Sequence, residues 1–530
     1  MLSPLTKLPT NAKVAVVGSG VAGLMFTYFL GKLRPDVTIH LIESQKRTGG
    51  WIKSLDTKDK NNEPVMLEQG PRTLRGVSDG TVLIVDTLKD LNQQSIVQCI
   101  SANAEANRKF LLDPNDKLAQ VPNSPATAIE FLCNPLGKGL ITGFLGEPFR
   151  RPPSHPGQDE SVSSFIKRRF GSDYIGNNIL SAVFHGIYGD DIDNMSAKRT
   201  VRKLFDLETK YGSIMKGFYN SKSDPNEKHQ LSQLLSDYQR AFNKDEAELK
   251  GLSTKLHKYP MLGLKGGLEM FPHLVRQSLN KLSNVNLISG EKVIKINQGK
   301  EQEGLSVQLS QGKSLTGLNH VRLTPTPARI SPMIDNEQLA KEFAKIKANS
   351  ILLVNFYLPK KDAIARKYHG FGYLCPKSSK NPQGLLGVIF DSVIERSFQP
   401  LFQNMDANQK SSSPEQYTKL TAMLGGHYLN HHSSETVPSQ ELTIRAVKDS
   451  LNTHLGISSQ DLEDGMWAFT VAEKCLPRFS VGYDAWQASV EQELQKAYKG
   501  TVSVGGMGFA KGPGVPDVIA DGLQDAIKLA

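Results

Sequence analysis

Near the N-terminus, the apolar positions predict a strand, a tight turn and a helix in that order. Residues 14–17 are a short β-branched run that stops at a glycine pair, and residues 21–33 carry apolar side chains on most faces. A second strand-like run covers residues 38–43. Residues 14–31 are uncharged and long enough to suggest a membrane span, but the glycines interrupt them. The pattern therefore favours one βαβ unit with a buried strand and a buried helix.

Farther along, the pattern changes character twice before strands return. The pattern predicts a helix over residues 80–91. It predicts helical, basic segments broken by Pro and Gly over residues 99–219. Residues 220–258 are polar, which predicts a solvated helical insertion or a partly disordered loop. The last thirty residues predict a strand, a glycine-rich turn and a helix. Further strand-like runs cover residues 285–296, 305–309, 351–357, 385–390 and 421–423, and a polar loop covers 404–415.

The composition is that of a large globular protein. The 530 residues are enough for about three domains, and 39% hydrophobic with 22% charged residues exclude disordered, collagen-like and coiled-coil classes. The four cysteines lie far apart without a C-x-x-C pair, which argues against a disulfide framework or a zinc ribbon. A net charge of +10 favours an anionic partner, namely membrane lipid, nucleic acid or a carboxylated small molecule. Nucleic acid is disfavoured, since the chain has no module of interleaved basic and aromatic residues.

The turn after the first strand carries a dinucleotide-binding pattern. A G-x-G-x-x-G motif between a strand and a helix permits the tight turn, close approach of backbone to a pyrophosphate, and helix-to-strand packing. Glu43 ends the next strand, where its carboxylate can accept hydrogen bonds from ribose hydroxyls and would repel a 2′-phosphate. The predicted phosphate loop is Gly18, Ser19, Gly20, Val21, Ala22 and Gly23.

Two further segments point to FAD rather than to a nicotinamide cofactor. Arg47-Thr48-Gly49-Gly50-Trp51 resembles the second fingerprint of the glutathione-reductase-type FAD proteins, especially their amine-oxidase branch. Residues 68–75, Glu-Gln-Gly-Pro-Arg-Thr-Leu-Arg, add a Gly-Pro turn beside two arginines.

With these segments the chain resembles the protoporphyrinogen oxidases, mitochondrial flavoproteins of haem synthesis, and most closely their yeast form. The likeness runs from residue 13 to near the C-terminus. Residues 370–374, Gly-Phe-Gly-Tyr-Leu, and 391–393, Asp-Ser-Val, are specific to that family. Shared segments also include residues 265–269, 423–426 and 512–517.

This resemblance implies an α/β fold built from three kinds of domain. The FAD-binding domain is Rossmann-like, of the glutathione-reductase and amine-oxidase type, with an inserted mixed-sheet substrate domain and an inserted helical membrane-binding domain. The implied divisions are 1–95, 259–300 and 476–530 for FAD binding, 96–219 for the membrane, 220–258 for a polar insertion, and 301–475 for substrate.

The resemblance also implies the reaction and its surroundings. Non-covalent FAD would oxidise protoporphyrinogen IX to protoporphyrin IX with O2, in three two-electron steps that release H2O2. The implied location is the intermembrane-space side of the mitochondrial inner membrane, with monotopic attachment, a homodimer and contact with ferrochelatase as further expectations. No catalytic acid or base and no metal ligand is predicted.

Site residues are carried over from the family onto matching positions. Beyond the phosphate loop and Glu43, the implied FAD contacts are Ser44, Trp51, Gly70, Pro71, Arg72, Thr73, Val293, Pro513, Gly514 and Val515. The implied substrate wall is Gly186, Leu374, Ile389 and Met423. An arginine that pairs with a substrate propionate matches Arg108 or Lys109, depending on the alignment, and we favour Arg108.

A possible membrane segment, three histidines, one cysteine and the function itself each allow a second interpretation. Residues 133–146, with Lys138, Arg150 and Arg151 nearby, either lie in a bilayer interface or form an ordinary buried loop and helix. His427, His431 and His432 are interpreted as surface or packing residues because no acid or cysteine stands at ligand spacing. Cys475 is interpreted as a structural thiol. Alternative functions are another flavin amine oxidase, a polyene desaturase, or a non-catalytic FAD-binding module.

Overall fold

A computed structural model describes residues 5–153, 155, 157–221, 231–299, 304–361, 363–402, 417–431 and 437–530. Its strands, in chain order, are β1 Lys13–Val17, β2 Thr38–Glu43, β3 Ser54–Lys58, β4 Pro64–Glu68, β5 Val97–Ile100, β6 Lys109–Leu112, β7 Leu118–Gln120, β8 Met261–Leu264, β9 Val285–Ser289 and β10 Val293–Gln298. They continue as β11 Leu305–Leu309, β12 Ser314–Leu318, β13 His320–Leu323, β14 Ala348–Leu358, β15 Gly372–Leu374, β16 Leu385–Ile389, β17 Gln399–Pro400, β18 Thr418–Gly425, β19 Met466–Pro477 and β20 Val502–Val504.

The helices of the first half are α1 Val21–Leu33, α2 Asp79–Asp90, α3 Pro125–Cys133, α4 Leu140–Gly146, α5 Val162–Phe170, α6 Ser181–Tyr188, α7 Ala197–Thr200, α8 Arg202–Tyr211, α9 Ile214–Asn220, α10 Gln233–Phe242 and α11 Glu246–Leu256. Those of the second half are α12 Met270–Leu279, α13 Pro327–Ile330, α14 Glu337–Ala344, α15 Asp391–Ser397, α16 Gln440–Leu455, α17 Ser459–Asp464, α18 Tyr483–Tyr498 and α19 Val515–Leu529.

A parallel sheet is assembled from distant parts of the chain, in the strand order β20-β13-β1-β2-β9. Strand β1 is apolar on both faces because it lies in the middle of this sheet, as strands of parallel sheets usually do. Helices α1, α2, α12 and α19 bury apolar residues in one common core. The predicted βαβ unit, the predicted helix near residue 80 and the closing strand, turn and helix are confirmed.

A second, seven-stranded sheet has the order β19-β14-β18-β16-β15-β6-β7. Its neighbours are antiparallel except for β6 and β15, so the sheet is mixed, as predicted. Strands β6 and β7 come from residues 109–120, where the sequence predicts helical segments. These runs are only three or four residues long; β6 pairs with β15, more than 250 residues away, and β7 pairs in turn with β6.

Strand β13 also departs from the predicted division of the chain. Residues 301–475 are predicted as the substrate domain, yet β13 lies between β1 and β20 in the parallel sheet. The run His-Val-Arg-Leu is buried throughout, which suits either sheet equally. The sequence pattern alone therefore cannot assign it.

Helices α3–α9 form a separate layer, in which α5–α9 surround an apolar core that includes Phe165, Ile166, Phe184 and Phe205, and α3 buries Phe131 in a second cluster. In the described part of the chain, no helix is both long enough and apolar enough to cross a membrane. Several large apolar side chains of this layer nevertheless lie on its surface.

The polar segment after this layer contains two packed helices, α10 and α11. Leu235, Leu249 and Leu252 are buried in the core shared with α1. The Tyr238 hydroxyl donates to Asp86 of α2 over 2.8 Å, and the Lys244 ammonium lies 2.9 Å from the same carboxylate. The predicted helical insertion is confirmed for residues 233–256, although one face of it is buried. Residues 222–230 and the predicted polar loop 404–415 lie outside the described residues.

Candidate cofactor and substrate site

The glycine loop at the end of β1 leaves an open cradle. Gly18 has φ +94°, and a Cβ on Gly23 would lie 1.9 Å from the Gly18 carbonyl oxygen, so both positions require glycine. Gly20 precedes α1 without any side-chain cap, and a Cβ placed there would meet only the Gly50 Cα, at 3.8 Å. Free N–H groups at an uncapped helix start can bind phosphate. The loop therefore fits a pyrophosphate.

Glu43, at the end of β2, lies beside this loop as predicted. Its Oε2 accepts hydrogen bonds from the Ser19 N–H and hydroxyl, both 2.8 Å long. Its Oε1 accepts from the Gln45 N–H at 2.9 Å and from the Ser44 hydroxyl at 3.2 Å. A carboxylate held at this strand end can accept the hydroxyls of a ribose that lies over the loop.

The second fingerprint is fixed to the first by backbone contacts. The Gly49 N–H donates to the Ser19 carbonyl over 2.9 Å. Arg47 donates to the carbonyls of Gly50 and Ile52, each over 2.6 Å, and pairs with Glu269 at 3.0 Å. The carboxylate of Glu269, in the segment 265–269, thus holds this turn.

Trp51 links the fingerprint to the seven-stranded sheet. It packs against the buried cluster that includes Ile351 and Leu353, as Met423 does, and the Arg329 guanidinium lies 5.6 Å from the Trp51 ring centroid. The structure therefore brings a predicted FAD contact and a predicted substrate contact together.

The Gly70–Thr73 turn is tied to the seven-stranded sheet through Arg72. A Cβ on Gly70 would lie 2.1 Å from the Trp51 carbonyl oxygen, so the chain passes very close to itself here. The Arg72 guanidinium forms an ion pair with Asp391, and the two side chains are only 8% and 6% exposed. The Thr421 hydroxyl donates to Asp391 over 2.7 Å. Residues 391–393 stand out in the sequence as a family signature, but the pairing is not visible there because it joins positions 319 residues apart.

The C-terminal helix completes the cradle. Gly514 precedes α19 without a side-chain cap, and a Cβ on Gly522 would lie 3.6 Å from the Phe26 backbone nitrogen, so α19 packs closely along α1. Arg322 of β13, 1% exposed, donates to Asp525 of α19 over 2.5 Å. This buried ion pair fixes α19 to the sheet, and no sequence motif indicates it.

Val293 lies next to the ribose-binding edge of the sheet. It is 2% exposed and begins β10. Two residues earlier, the Glu291 N–H donates to the Glu43 carbonyl over 3.0 Å. The implied FAD contact at Val293 and the predicted ribose contact at Glu43 are therefore neighbours.

The strand residues of the predicted substrate wall lie on one face of the seven-stranded sheet. The strand register pairs Leu374 with Gly387, Gly387 with Met423, and Ile389 with Gly372. Since side chains alternate along a strand, Leu374, Ile389 and Met423 lie on the same face. Gly186 of α6 covers that face closely, because a Cβ there would lie 2.8 Å from Leu374 Cδ2.

The two candidate partners of the substrate propionate, Arg108 and Lys109, have different neighbours. Lys109 pairs in register with Gly372, which places it on the Leu374 face, and its side chain is exposed. The Arg108 guanidinium lies 3.8 Å from Glu105 and 3.5 Å from the Arg366 carbonyl oxygen. This register weighs against our preference for Arg108, and both assignments stay predictions.

Large exposed apolar side chains gather on the layer of α3, α4 and α9. Phe149 is 88% exposed and Leu145 is 71% exposed. The N–H groups of Ile214 and Met215 donate to the buried Glu147, which holds α9 beside these two residues. We call the following set the apolar face: Ile129, Leu132, Ile141, Phe144, Leu145, Phe149, Met215, Phe218 and Tyr219.

The cysteine and the histidines that the sequence does not assign to the site have packing roles where the structure describes them. Cys475 is buried, and burial raises the pKa of its thiol to about 11, which makes it a poor nucleophile. His427 is 5% exposed and stacks on His185. The His431 side chain and all of His432 lie outside the described part. Among the described residues, no group of three His, Cys, Asp or Glu side chains could hold a metal ion.

Comparison with known proteins agrees with this geometry. The model of a family described as flavin containing amine oxidoreductase matches residues 21–451. The chain is 56% identical to the protoporphyrinogen oxidase of Saccharomyces cerevisiae over 100% of both chains. It is 26% identical to that of Homo sapiens over 97% of this chain and 98% of the human one.

A solved structure shares the fold. A chain from Exiguobacterium sp., named provisionally as a protoporphyrinogen oxidase, superposes with a TM-score of 0.69 over 97% of this chain and 98% of its own. The two sequences are 17% identical, so this likeness concerns the fold alone.

Proposed function

The chain belongs to the protoporphyrinogen oxidases of the flavin-containing amine oxidoreductase family, and from this premise we infer how its residues serve the reaction. It is an FAD enzyme that oxidises protoporphyrinogen to protoporphyrin in haem biosynthesis. The geometry that best supports this activity is the packing of Trp51 and Met423 against one buried cluster, where the cradle for FAD meets the apolar sheet face.

The cradle would bind the cofactor, and the sheet face would bind the macrocycle. Bound FAD supplies the redox chemistry, because it accepts a hydride from a methylene bridge of the macrocycle. The N–H groups at the starts of α1 and α19 would bind the anionic and carbonyl oxygens of the cofactor. Leu374, Ile389 and Met423 would lie against the flat macrocycle and exclude water, with Gly186 above them. No side chain is assigned as an acid or base.

Dioxygen is the proposed electron acceptor, and this can be measured in air. Six electrons leave each macrocycle in three two-electron steps, so the protein should form three H2O2 for each protoporphyrin. Porphyrin fluorescence and a peroxidase-coupled assay measure the two products, against a sample without enzyme. Turnover of amines or polyenes without turnover of protoporphyrinogen would instead support the alternative functions.

The propionate contact can be assigned with two single variants. We expect removal of the correct cation, by Arg108→Ala or Lys109→Ala, to raise the KM for protoporphyrinogen about tenfold, because a charge-assisted hydrogen bond contributes about 1.5–3 kcal/mol. FAD content should not change in either variant. An effect confined to Lys109→Ala would overturn our preference for Arg108, and no effect in either would exclude both residues.

We propose that the apolar face binds the surface of the mitochondrial inner membrane from the intermembrane-space side. Lys203 lies close to it, with its ammonium group 5.8 Å from the Phe218 ring, and Lys138, two residues before α4, lies 4.5 Å from the Tyr174 ring; both could reach anionic headgroups. The homodimer and the contact with ferrochelatase rest on the family resemblance alone.

Vesicle binding tests the apolar face. We expect Leu145→Glu with Phe149→Glu to reduce binding to cardiolipin-containing vesicles at least tenfold, since both side chains would leave the apolar phase. Leu442→Glu is the control, because Leu442 is 62% exposed on α16, away from the face. Equal loss for both proteins, or no loss for the double variant, would contradict the assignment.

A further inference from the structure

A buried histidine, His185, joins three elements that form the substrate wall. It directly precedes Gly186 in α6 and is 2% exposed. Its Nδ1 lies 2.7 Å from the carbonyl oxygen of Cys375, the residue that follows Leu374 at the end of β15. Its ring stacks on His427, with centroids 4.8 Å apart and planes 25° from parallel.

His427 belongs to the turn after β18, the strand that carries Met423. The N–H of His427 donates to the Gly189 carbonyl over 2.8 Å, at the end of α6. A Cβ on Gly426 would lie 2.2 Å from the same oxygen. The turn and the helix end are therefore packed as tightly as backbone allows, and the His185 ring fills the space between them and β15.

The protonation of the His185 ring follows from its partners. A carbonyl oxygen can only accept, so Nδ1 carries the hydrogen in this contact. Burial lowers the pKa of His185, and the positive charge of Lys377 lowers it further. The contact with the Cys375 carbonyl and the negative charge of Asp191 act in the opposite direction but do not outweigh the burial. Tyr428 lies at the ring edge, with centroids 5.7 Å apart. The ring is therefore neutral, and its Nε2 is buried without a hydrogen-bond partner in the described structure.

We propose that His185 is a positioning residue that fixes Gly186 against Leu374 and thereby sets the width of the substrate cleft. The inference rests on the proposed assignment of Gly186 and Leu374 to the substrate wall. A Cβ on Gly186 would already lie 2.8 Å from Leu374, so little room separates helix and strand. Misplacement of a binding wall by about 1 Å can reduce catalytic efficiency on the order of 100-fold.

Two amide replacements separate positioning from simple packing. The amide nitrogen of His185→Asn occupies the place of Nδ1 and can still donate to the Cys375 carbonyl, whereas that of His185→Gln occupies the place of Nε2. We expect His185→Gln to raise the KM for protoporphyrinogen about tenfold, because the buried carbonyl loses its donor. His185→Asn should stay within about threefold of the parent protein. In both variants, the rate of flavin reduction at saturating substrate should change less than KM does, and FAD content should stay the same.

A control variant lies on α16, where His454 contacts Tyr373 on the opposite face of β15. The His454 Nδ1 lies 2.8 Å from the Tyr373 hydroxyl, next to Leu374 but away from the cleft. His454→Phe should lower thermal stability without a change in KM. Equal KM values for His185→Asn and His185→Gln, or a rise in KM for His454→Phe as large as that for His185→Gln, would overturn the proposal. If the parent protein does not reduce its flavin with protoporphyrinogen, the proposed function fails instead.

Discussion

Gly23→Ala is expected to weaken FAD binding on the order of 100-fold while the chain still folds. The new methyl group would lie 1.9 Å from the Gly18 carbonyl oxygen, and the Gly18 N–H is itself bound to the Ile42 carbonyl over 2.8 Å. The loop must therefore open, and its N–H groups leave the positions that suit a pyrophosphate. Overpacking of this kind costs about 3 kcal/mol, which corresponds to on the order of 100-fold in affinity.

Quenching of FAD fluorescence during titration of the apoprotein measures this loss. The matched control is Gly251→Ala in α11, where a Cβ meets no atom within 4 Å and alanine favours the helix by about 1 kcal/mol. The control should bind FAD like the parent protein and melt at the same temperature or higher. Normal flavin content in Gly23→Ala would show that this loop does not hold the cofactor.

The second large effect is expected from Asp391→Ala. Removal of this carboxylate leaves the Arg72 guanidinium buried without its counter-charge, and the Thr421 hydroxyl loses its acceptor. Breaking a buried ion pair in this way should lower the free energy of unfolding by about 3–5 kcal/mol. The rate of flavin reduction by protoporphyrinogen should fall with it, because Arg72 belongs to the predicted FAD-binding turn.

A double variant separates stability from function at this pair. Arg72→Met with Asp391→Leu replaces both charges by apolar groups and should recover most of the stability. It should not recover FAD affinity if Arg72 contacts the cofactor. Urea unfolding and FAD titration measure the two quantities. As a surface control, Lys341→Ala breaks the exposed pair with Glu337 and should change stability by less than about 1 kcal/mol. Full FAD affinity in the double variant would reassign Arg72 to a purely structural role.

Local pattern was sufficient for the nucleotide-binding unit. The β-branched run of β1, the glycines and the acid at the end of β2 follow one another within about thirty residues, and each requirement is visible in the residue itself. The predictions of FAD as cofactor and of the protoporphyrinogen oxidase family are confirmed.

Long-range pairing explains what the sequence could not predict. Strands β6 and β13 are four residues long and become strands only because distant strands pair with them, and β7 then pairs with β6. The α10–α11 insertion carries few apolar residues, yet these form one buried stripe against α1.

The same limit applies to the site. The Arg72–Asp391 pair, the Arg322–Asp525 pair and the His185 contact join residues separated by about 190 to 320 positions. No spacing rule within a helix or strand reaches that far. Only the tertiary structure could therefore reveal these partners.

We propose that the apolar sheet face holds protoporphyrinogen against FAD, which is bound by the glycine loop and the start of α19. Anaerobic mixing of the holoprotein with protoporphyrinogen IX tests this claim most directly, with the flavin absorbance followed in time. We expect the absorbance to bleach, and porphyrin fluorescence and H2O2 to rise above a control without enzyme once air is admitted. Bound flavin that stays oxidised with protoporphyrinogen, yet is reduced by an amine or a polyene, would contradict it.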